Sequence, residues 1–559
     1  GYWSRGLGDV YKRQVDNDFK VSGKTSNNWY QPAGGYNTTQ FYGADKVVGY
    51  DQYFGGSQDN GTFLSPRNLI ADETTTWSFE IGGDGFEAIA HHTDPNKLIG
   101  GSQGNNFYRS TNGGASWSYA QYGLEGADPF ITRLSSPAQD PDVLYAVTNF
   151  GVMKSNDFGE SWQAKQVEGN WNSSFWSGTD VEVSLANPRY VWAGSSMSFA
   201  GNIFLSKDWG ETYESVPNFS SLGRTSGIYS HPTEDSTAYV LFGMPGAAKV
   251  LQTRDLGETW EDLSGFTNSN DGKSLNGFPD VPVYSFLVMP HDKDIMWAGT
   301  EVGLIESTDG GASWHLVESN LPYVTIWDLK LKDEGQIVIA THGRGVWTAT
   351  IDDLKSYEPK PAILPPFILS AYQLDSEDSY VISTNINTKS SYDSLVIKAN
   401  NVKRDVFQNV DKSDSTNFVF EVDDKGDYTI QAFGYKDGLE YPSNEYNIIL
   451  NPTLQPRTEY STTFSDLVGD EFGLDRFRIG IQGGFEGRQL HTEHPYESGV
   501  AGGYDDGYSV HALLNIPIII TDYTPSIRFK EIVLVEPGEP GTSFGDWNFW
   551  DYVIVEASK

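Results

Sequence analysis

The chain has 559 residues, no cysteine, 38 basic against 75 acidic side chains and a formal net charge of −37. That length exceeds one core, the charge repels nucleic acid and anionic lipid, and the lack of cysteine excludes disulfides, thiol catalysis and Cys-ligated metal. Glycine is abundant at 59 and aromatics make up 14%, a composition for short strands and tight turns rather than helices.

In chain order, Gly1–Gln14 (GYWSRGLGDVYKRQ) is basic where the rest is acidic. It reads as a non-native leader resembling translated adapter sequence and is set aside from fold reasoning. With no initial Met, and with an end just after the strand-like run Asp551–Glu556, the chain is expected to be a fragment at both ends. No apolar run approaches the roughly 18 residues that span a bilayer, so membrane insertion is not expected.

Residues 15–355 are dominated by a repeat. Five octads share the pattern Ser/Thr-x-Asp/Asn-x-Gly-x-Ser/Thr-aromatic, starting at Ser110, Ser155, Ser206, Thr253 and Ser307, with spacings of 45, 51, 47 and 54 residues. Their third residues are Asn112, Asp157, Asp208, Asp255 and Asp309, and their closing aromatics Trp117, Trp162, Tyr213, Trp260 and Trp314. The pattern is that of a hairpin turn. The acid or amide accepts backbone N–H groups the turn leaves free, glycine supplies a backbone angle that a Cβ penalises, and the aromatic enters the next strand. A turn and short apolar strand precede the octads, as at Lys97–Gly101, Val143–Val147, Tyr190–Gly194 and Ile295–Gly299. Val47–Tyr50 followed by Tyr53–Gly56 reads as a blade whose octad has decayed, and Gln336–Trp347 as a last one without an octad. The period fits one four-stranded propeller blade per repeat, giving about seven visible blades.

These octads, with Gly56–Gly61, Gly82–Gly85 and Thr341–Gly345, resemble the BNR/Asp-box superfamily, in particular the propeller shared by sortilin-type (Vps10-like) ectodomains, xyloglucanase-like glycoside hydrolases and many secreted Bacteroidota proteins. The resemblance implies a propeller and leaves activity open, because the superfamily holds enzymes and binders. A sialidase needs an arginine triad and an Arg-Ile-Pro segment, and only Ser65-Pro-Arg67 comes near.

Downstream, the proline-rich 356–366 reads as a stiff linker. Residues 367–451, with strands such as Ser394–Lys398, Phe418–Val422 and Tyr428–Ala432, are expected to form an Ig-like or FnIII-like sandwich. Residues 456–559 read as a truncated jelly-roll domain, MAM-like or carbohydrate-binding-like. The fold class is thus all-β: propeller, Ig-like sandwich and jelly-roll-like β-sandwich. In the last unit the carboxylates of Asp505 and Asp506 on a Tyr-Asp-Asp-Gly turn are candidate Ca²⁺ ligands, with an ordinary solvated turn as the plainer reading; no cofactor is otherwise required.

There is no GxSxG elbow, P-loop or HExxH, and His91-His92 and His491/His494 read as surface or turn histidines. Polysaccharide hydrolysis requires two opposed carboxylates. Near the starts of innermost strands the candidates are Asp84, Asp128, Asp180, Asp280 and Asp328, with structural capping as the competing role. Trp176 and Trp327 are candidate sugar platforms and Arg344 a candidate anion contact or blade-closing ion pair. The octad carboxylates belong on the outer rim, away from any site. Two functions remain: a secreted or cell-surface protein binding a polysaccharide or protein ligand, expected monomeric, or a secreted glycoside hydrolase of the xyloglucanase kind.

Overall fold

A computed structural model describes residues 3–7 and 39–450 except 73–74, 127–128, 168, 199–200, 333–334 and 375–379, and beyond these 454, 457–465, 471–475, 477–481, 486–492 and 511–519. The chain divides into two compact units, Gly1–Leu364 and Pro365–Lys559.

Among the described residues the first unit is a ring of seven blades, each a four-stranded antiparallel sheet. Their innermost strands are Phe41–Lys46, Ala88–Ala90, Leu134–Ser135, Asp180–Val183, Thr225–Ser230, Val283–Met289 and Ile326–Leu331. The second strands begin within a few residues of the six positions expected from sequence, at Tyr53, Leu98, Leu144, Val191, Asp292 and Gln336, and blade five adds one at Ala238. Val47–Tyr50 forms the turn between the first two strands of blade one, and Tyr53–Ser57 the second strand. Val47 N–H donates to Gln52 O at 2.9 Å, and Gly49 takes a φ of +73°, which ends extended pairing there. Blade seven supplies three strands, and Trp3–Leu7 pairs along Val346–Ala349 as its fourth. The outer strands of blades three and four also pair with each other, in parallel, through Gln166–Thr212 and Val167–Tyr213.

Apolar residues from neighbouring blades meet in one cluster at each interface. The ring closes between blades seven and one. There Phe41, Ala44 and Tyr53 pack on Val338, Ala340 and Val346, Gln40 bridges His342, and Lys332 Nζ lies 2.7 Å from Asp45. Closure removes the free sheet ends that would invite aggregation.

The five octads share one geometry. In the second, Ser155 Oγ donates to Asp157 Oδ1 at 2.8 Å and accepts Gly159 N–H at 2.8 Å, while Asp157 accepts Ser161 N–H at 2.9 Å. The other four repeat this pattern. Two successive residues of each turn are left-handed, and the first of them is Gly113, Phe158, Trp209, Leu256 or Gly310. Bulky side chains in that region are strained; Phe158 and Trp209 offset it by burial, Phe158 edge-on to His91 and Trp209 under Arg189. The closing tryptophans reach back one blade: Trp117 stacks on Phe54, and Trp162 on Phe107 while donating to Ala120 O.

The proline-rich segment after blade seven does not leave the ring at once. Tyr357 Oη contacts Pro232 O at 3.4 Å, Lys360 Nζ pairs with Asp235 at 2.8 Å, and Gln139 Nε2 donates to Lys360 O at 3.2 Å. It therefore runs beneath blades five and three, on the face where first strands turn into second ones.

In the second unit a three-stranded sheet, Phe367–Leu374, Tyr380–Thr388 and Ser413–Val422, accompanies a five-stranded one containing Tyr392–Ala399, Val402–Val410, Gly426–Lys436, Leu439–Pro442 and Tyr446–Leu450. Burial alternates along Phe418–Val422, as a sheet with one covered face requires. Further on, Phe472–Asp475 pairs with His511–Leu514 and Phe477–Ile481 with Arg488–Thr492. His494, Asp505 and Asp506 lie outside the described residues.

Candidate functional site at the channel mouth

The innermost strand of a blade is a sheet edge, so its outward N–H groups need partners from the neighbouring blade. The channel acids supply them. Asp45 Oδ2 accepts Ala90 N–H at 2.9 Å, Asp180 Oδ2 accepts Ile228 N–H at 2.8 Å and Glu182 Oε1 accepts Ser230 N–H at 3.1 Å; Ser135 Oγ does the same for Val183 N–H at 3.0 Å. Each bond joins one blade to the next.

One register position recurs around the ring: Gly43, Glu87, Arg133, Asp180, Gly227, Ser285 and Asp328. Arg133 lies 3.6 Å from Glu87 and 3.9 Å from Asp180, and Lys330 lies 2.5 Å from Glu87 and 3.5 Å from Asp328. Burial pushes the Asp180 carboxyl up to about 6 despite Arg133, and the Asp328 carboxyl to about 6 despite Lys330. Burial pushes Glu182 furthest, to about 8, against its bonds from Ser230 and with help from Asp180. Burial opposes the charges of Arg133 and Lys330, but the surrounding carboxylates hold both above their usual values.

Most of the described carboxylates singled out in the sequence are held by hydrogen bonds or close ion pairs, while Asp328 Oδ2 is buried without a hydrogen bond and faces Lys330 Nζ at 3.5 Å. Asp84 Oδ1 accepts Asp59 N–H at 2.7 Å in a turn. Asp280 pairs at 2.6 Å with the fully buried Lys249 and accepts Gly246 N–H; burial opposes its ionisation, but these two partners keep it below the ordinary carboxylate range. Asp180 joins blade four to blade five, and Asp328 belongs to the Lys330–Glu87 network. Asp128 lies outside the described residues. The octad acids sit at turns between third and fourth strands. His91 and His231 are buried turn residues whose Nδ1 atoms accept two backbone N–H groups each. Arg67 pins blade one to Asn96 and Pro95 of the next blade. Arg344 Nη1 donates to Gly343 O at 3.0 Å, within its own turn.

Above the charged ring lies a feature the sequence reading left unassembled. The residue just before this register position is aromatic in four blades, Tyr42, Phe86, Tyr284 and Trp327, and the loops leading into blades three and four add Phe130 and Trp176; the rings touch in succession. Tyr284 stacks on Trp327 (4.4 Å, 19°), Trp327 meets Tyr42 (4.5 Å), Tyr42 meets Phe86 (4.9 Å), Phe86 meets Phe130 (5.3 Å) and Phe130 meets Trp176 (5.5 Å). Blade five has Ser226 instead, bonded to Val283 O. The signal was present as an aromatic at 42, 86, 130 and 176, spaced 44, 44 and 46 residues apart, close to the blade period. Trp327 lies between Tyr284 on one side and His342 on the other (4.5 Å, 7°), so it offers an edge rather than a face. Trp176 is 72% exposed, with Phe175 edge-on at 4.8 Å.

No family model matches the chain. A segment of 228 residues is 27% identical to the oligoxyloglucan-reducing end-specific xyloglucanase of Emericella nidulans, covering 36% of this chain and 28% of that protein. Among solved structures, the GH74 xyloglucanase of Xanthomonas campestris aligns over 57% of this chain and 44% of its own at 16% identity, TM-score 0.40. YCF48 of Cyanidioschyzon merolae aligns over 56% of this chain and 96% of its own at 14% identity, TM-score 0.40. The chain spans less than a third of the curated relative it matches. It is a β-propeller protein similar, over part of its length, to a xyloglucanase.

Proposed function

We propose that this chain is a secreted or surface-attached polysaccharide-binding protein whose propeller holds its ligand over the upper channel mouth without cleaving it. The observation that carries the reading is the contiguous aromatic arc with the exposed Trp176 at its end. Sugar rings present apolar C–H faces, and aromatic side chains are the protein groups that cover them. The described carboxylates nearby already serve as blade joints and ion-pair partners, which argues against an acid and a base free to work on a glycosidic bond. Hydrolysis is the second reading, favoured by the sequence likeness to the Emericella nidulans xyloglucanase. The test is to incubate the whole chain with xyloglucan and other β-glucans and to measure both retention on the polymer and release of reducing ends. Retention without release supports binding; release on any polymer establishes hydrolysis. Absence of both, with capture of a protein ligand, overturns the polysaccharide reading.

A further inference from the structure

Blades one to six each fold a fourth strand from the residues that follow their third: Ser78–Ile81, Ser118–Tyr119, Gln163–Val167, Thr212–Ser215, Glu261–Asp262 and His315–Leu316. Blade seven does not. After its third strand, Val346–Thr350, Ile351 N–H donates to Gly335 O at 2.9 Å and Asp352–Leu354 form a single 3₁₀ turn. Ile351 and Leu354 are buried in the cluster between blades six and seven, and the chain then passes beneath the ring to Pro232 and Asp235. None of the described downstream residues returns along Val346–Thr350. A bare strand edge presents a row of unpaired N–H and C=O groups, and this one is filled from the far end of the chain. Leu7 stands opposite Val346, Gly6 opposite Trp347, Arg5 opposite Thr348 and Trp3 opposite Ala349, antiparallel, with a bulge between Trp3 and Arg5.

Two observations say what kind of partner this edge takes. Its occupant belongs to the basic opening segment, whose letters differ from the rest of the chain, so the edge asks for an extended backbone rather than a particular sequence, as recognition by strand addition does. The upstream chain is also led to blade seven at its other end: Gly343 N–H donates to Thr39 O at 2.9 Å and Gln40 bridges His342 as the chain enters blade one. Residues 8–38 join the two points and reach on the order of 100 Å when extended. A tether of that kind holds its strand at an effective concentration of roughly millimolar, which a free peptide can match. We propose that Val346–Thr350 is an exchangeable strand-acceptor site. It binds an extended peptide segment through the main chain, and its resident is Trp3–Leu7 of the same molecule. The site is separate from the channel mouth and does not rest on the polysaccharide reading.

The chain has no cysteine, so the pairing is readable by oxidation. Directly opposed residues of an antiparallel pair lie within disulfide reach, and the test is the double variant Arg5→Cys/Thr348→Cys in the whole chain, with Arg5→Cys/Glu160→Cys as the unpaired control. The expected result is a disulfide within one molecule for the first and none for the second, by mass and non-reducing electrophoresis. A disulfide between molecules overturns the resident in favour of a second copy, and no disulfide in a folded variant overturns the pairing. Exchange is read in the same variant by adding a synthetic Gly1–Gln14 peptide with serine at position 5. At millimolar concentration it should slow disulfide formation about twofold or more, while the same peptide carrying Arg5→Pro/Gly6→Pro, which removes two neighbouring N–H groups, should not. An unchanged rate with the first peptide overturns exchange, and equal slowing by both overturns main-chain recognition. A chain lacking residues 1–14 should melt several degrees lower and regain the loss when the unmodified peptide is added. A folded, monomeric chain with the parent's melting temperature would show that the edge needs no partner and overturn the acceptor itself.

Discussion

Glu182 gives the sharpest test of the channel's electrostatics. It is half-buried between the innermost strands of blades four and five, where Ser230 donates both its N–H (3.1 Å) and its hydroxyl (2.7 Å) to Oε1. Its carboxyl titrates near 4.5 when free and at about 8 in the folded protein. Between those values the folded chain holds a proton that the unfolded chain has released, so stability falls as pH rises through this window. Each unit is worth about 1.4 kcal/mol, which makes the penalty on the order of 3 kcal/mol at pH 7 and 5 kcal/mol above pH 8. Glu182→Gln keeps the shape and an oxygen that accepts from Ser230, and removes the ionisation. Melting temperatures of parent and variant, followed by calorimetry from pH 4 to 9, should nearly coincide at the acid end and separate progressively above pH 5, with the variant higher by several degrees at pH 8. Parallel curves, or a variant less stable at pH 8, would refute the claim that Glu182 is held protonated in the channel.

Three further outcomes follow from packing and pairing. Lys332→Met leaves Asp45 2% exposed beside the ring closure without its nearest cation. Burial opposes ionisation of Asp45, but Lys332 and Lys330 hold it below the ordinary carboxylate value of 3.8, so this pair's contribution is present above that pH and lost below it. The variant should cost about 3–5 kcal/mol at pH 7, with parent and variant converging below pH 3 in denaturant titrations. Phe158→Gly relieves a left-handed backbone strain of about 1–2 kcal/mol but forfeits about 3–5 kcal/mol of buried ring, so it should lower the melting temperature although two octads carry glycine there. Asp280→Asn removes the counter-ion of the buried Lys249; because Asp280 is partly hydrated, the loss should be about 1–3 kcal/mol, with glucan retention unchanged. Lost retention in a folded Asp280→Asn would place that carboxylate in the ligand site.

The fold was legible because its signature is local. An octad closes on itself through Ser155, Asp157 and Ser161 within seven residues, so the turn chemistry is written in consecutive letters and repeats at blade spacing. The proline-rich segment looked like a boundary, and its hold on Pro232, Asp235 and Gln139 depends on partners far away in sequence. The site was harder. Asp180 and Asp328 stood out as carboxylates near strand starts, but their roles depend on Ile228 and Lys330 on the edges they face. Trp176 and Trp327 looked alike; ring partners from blades six and seven leave one exposed and the other covered. The aromatic spacing at 42, 86, 130 and 176 was visible in the letters, yet aromatic residues fill the core as well, and nothing in sequence separates the two uses.

The most direct test of the account is polymer retention by the parent chain on an immobilised neutral β-glucan, scored alongside reducing-end release from the same incubation. The account predicts retention that Trp176→Ala weakens, with no new reducing ends. Release of reducing ends, or retention indifferent to Trp176, would contradict it.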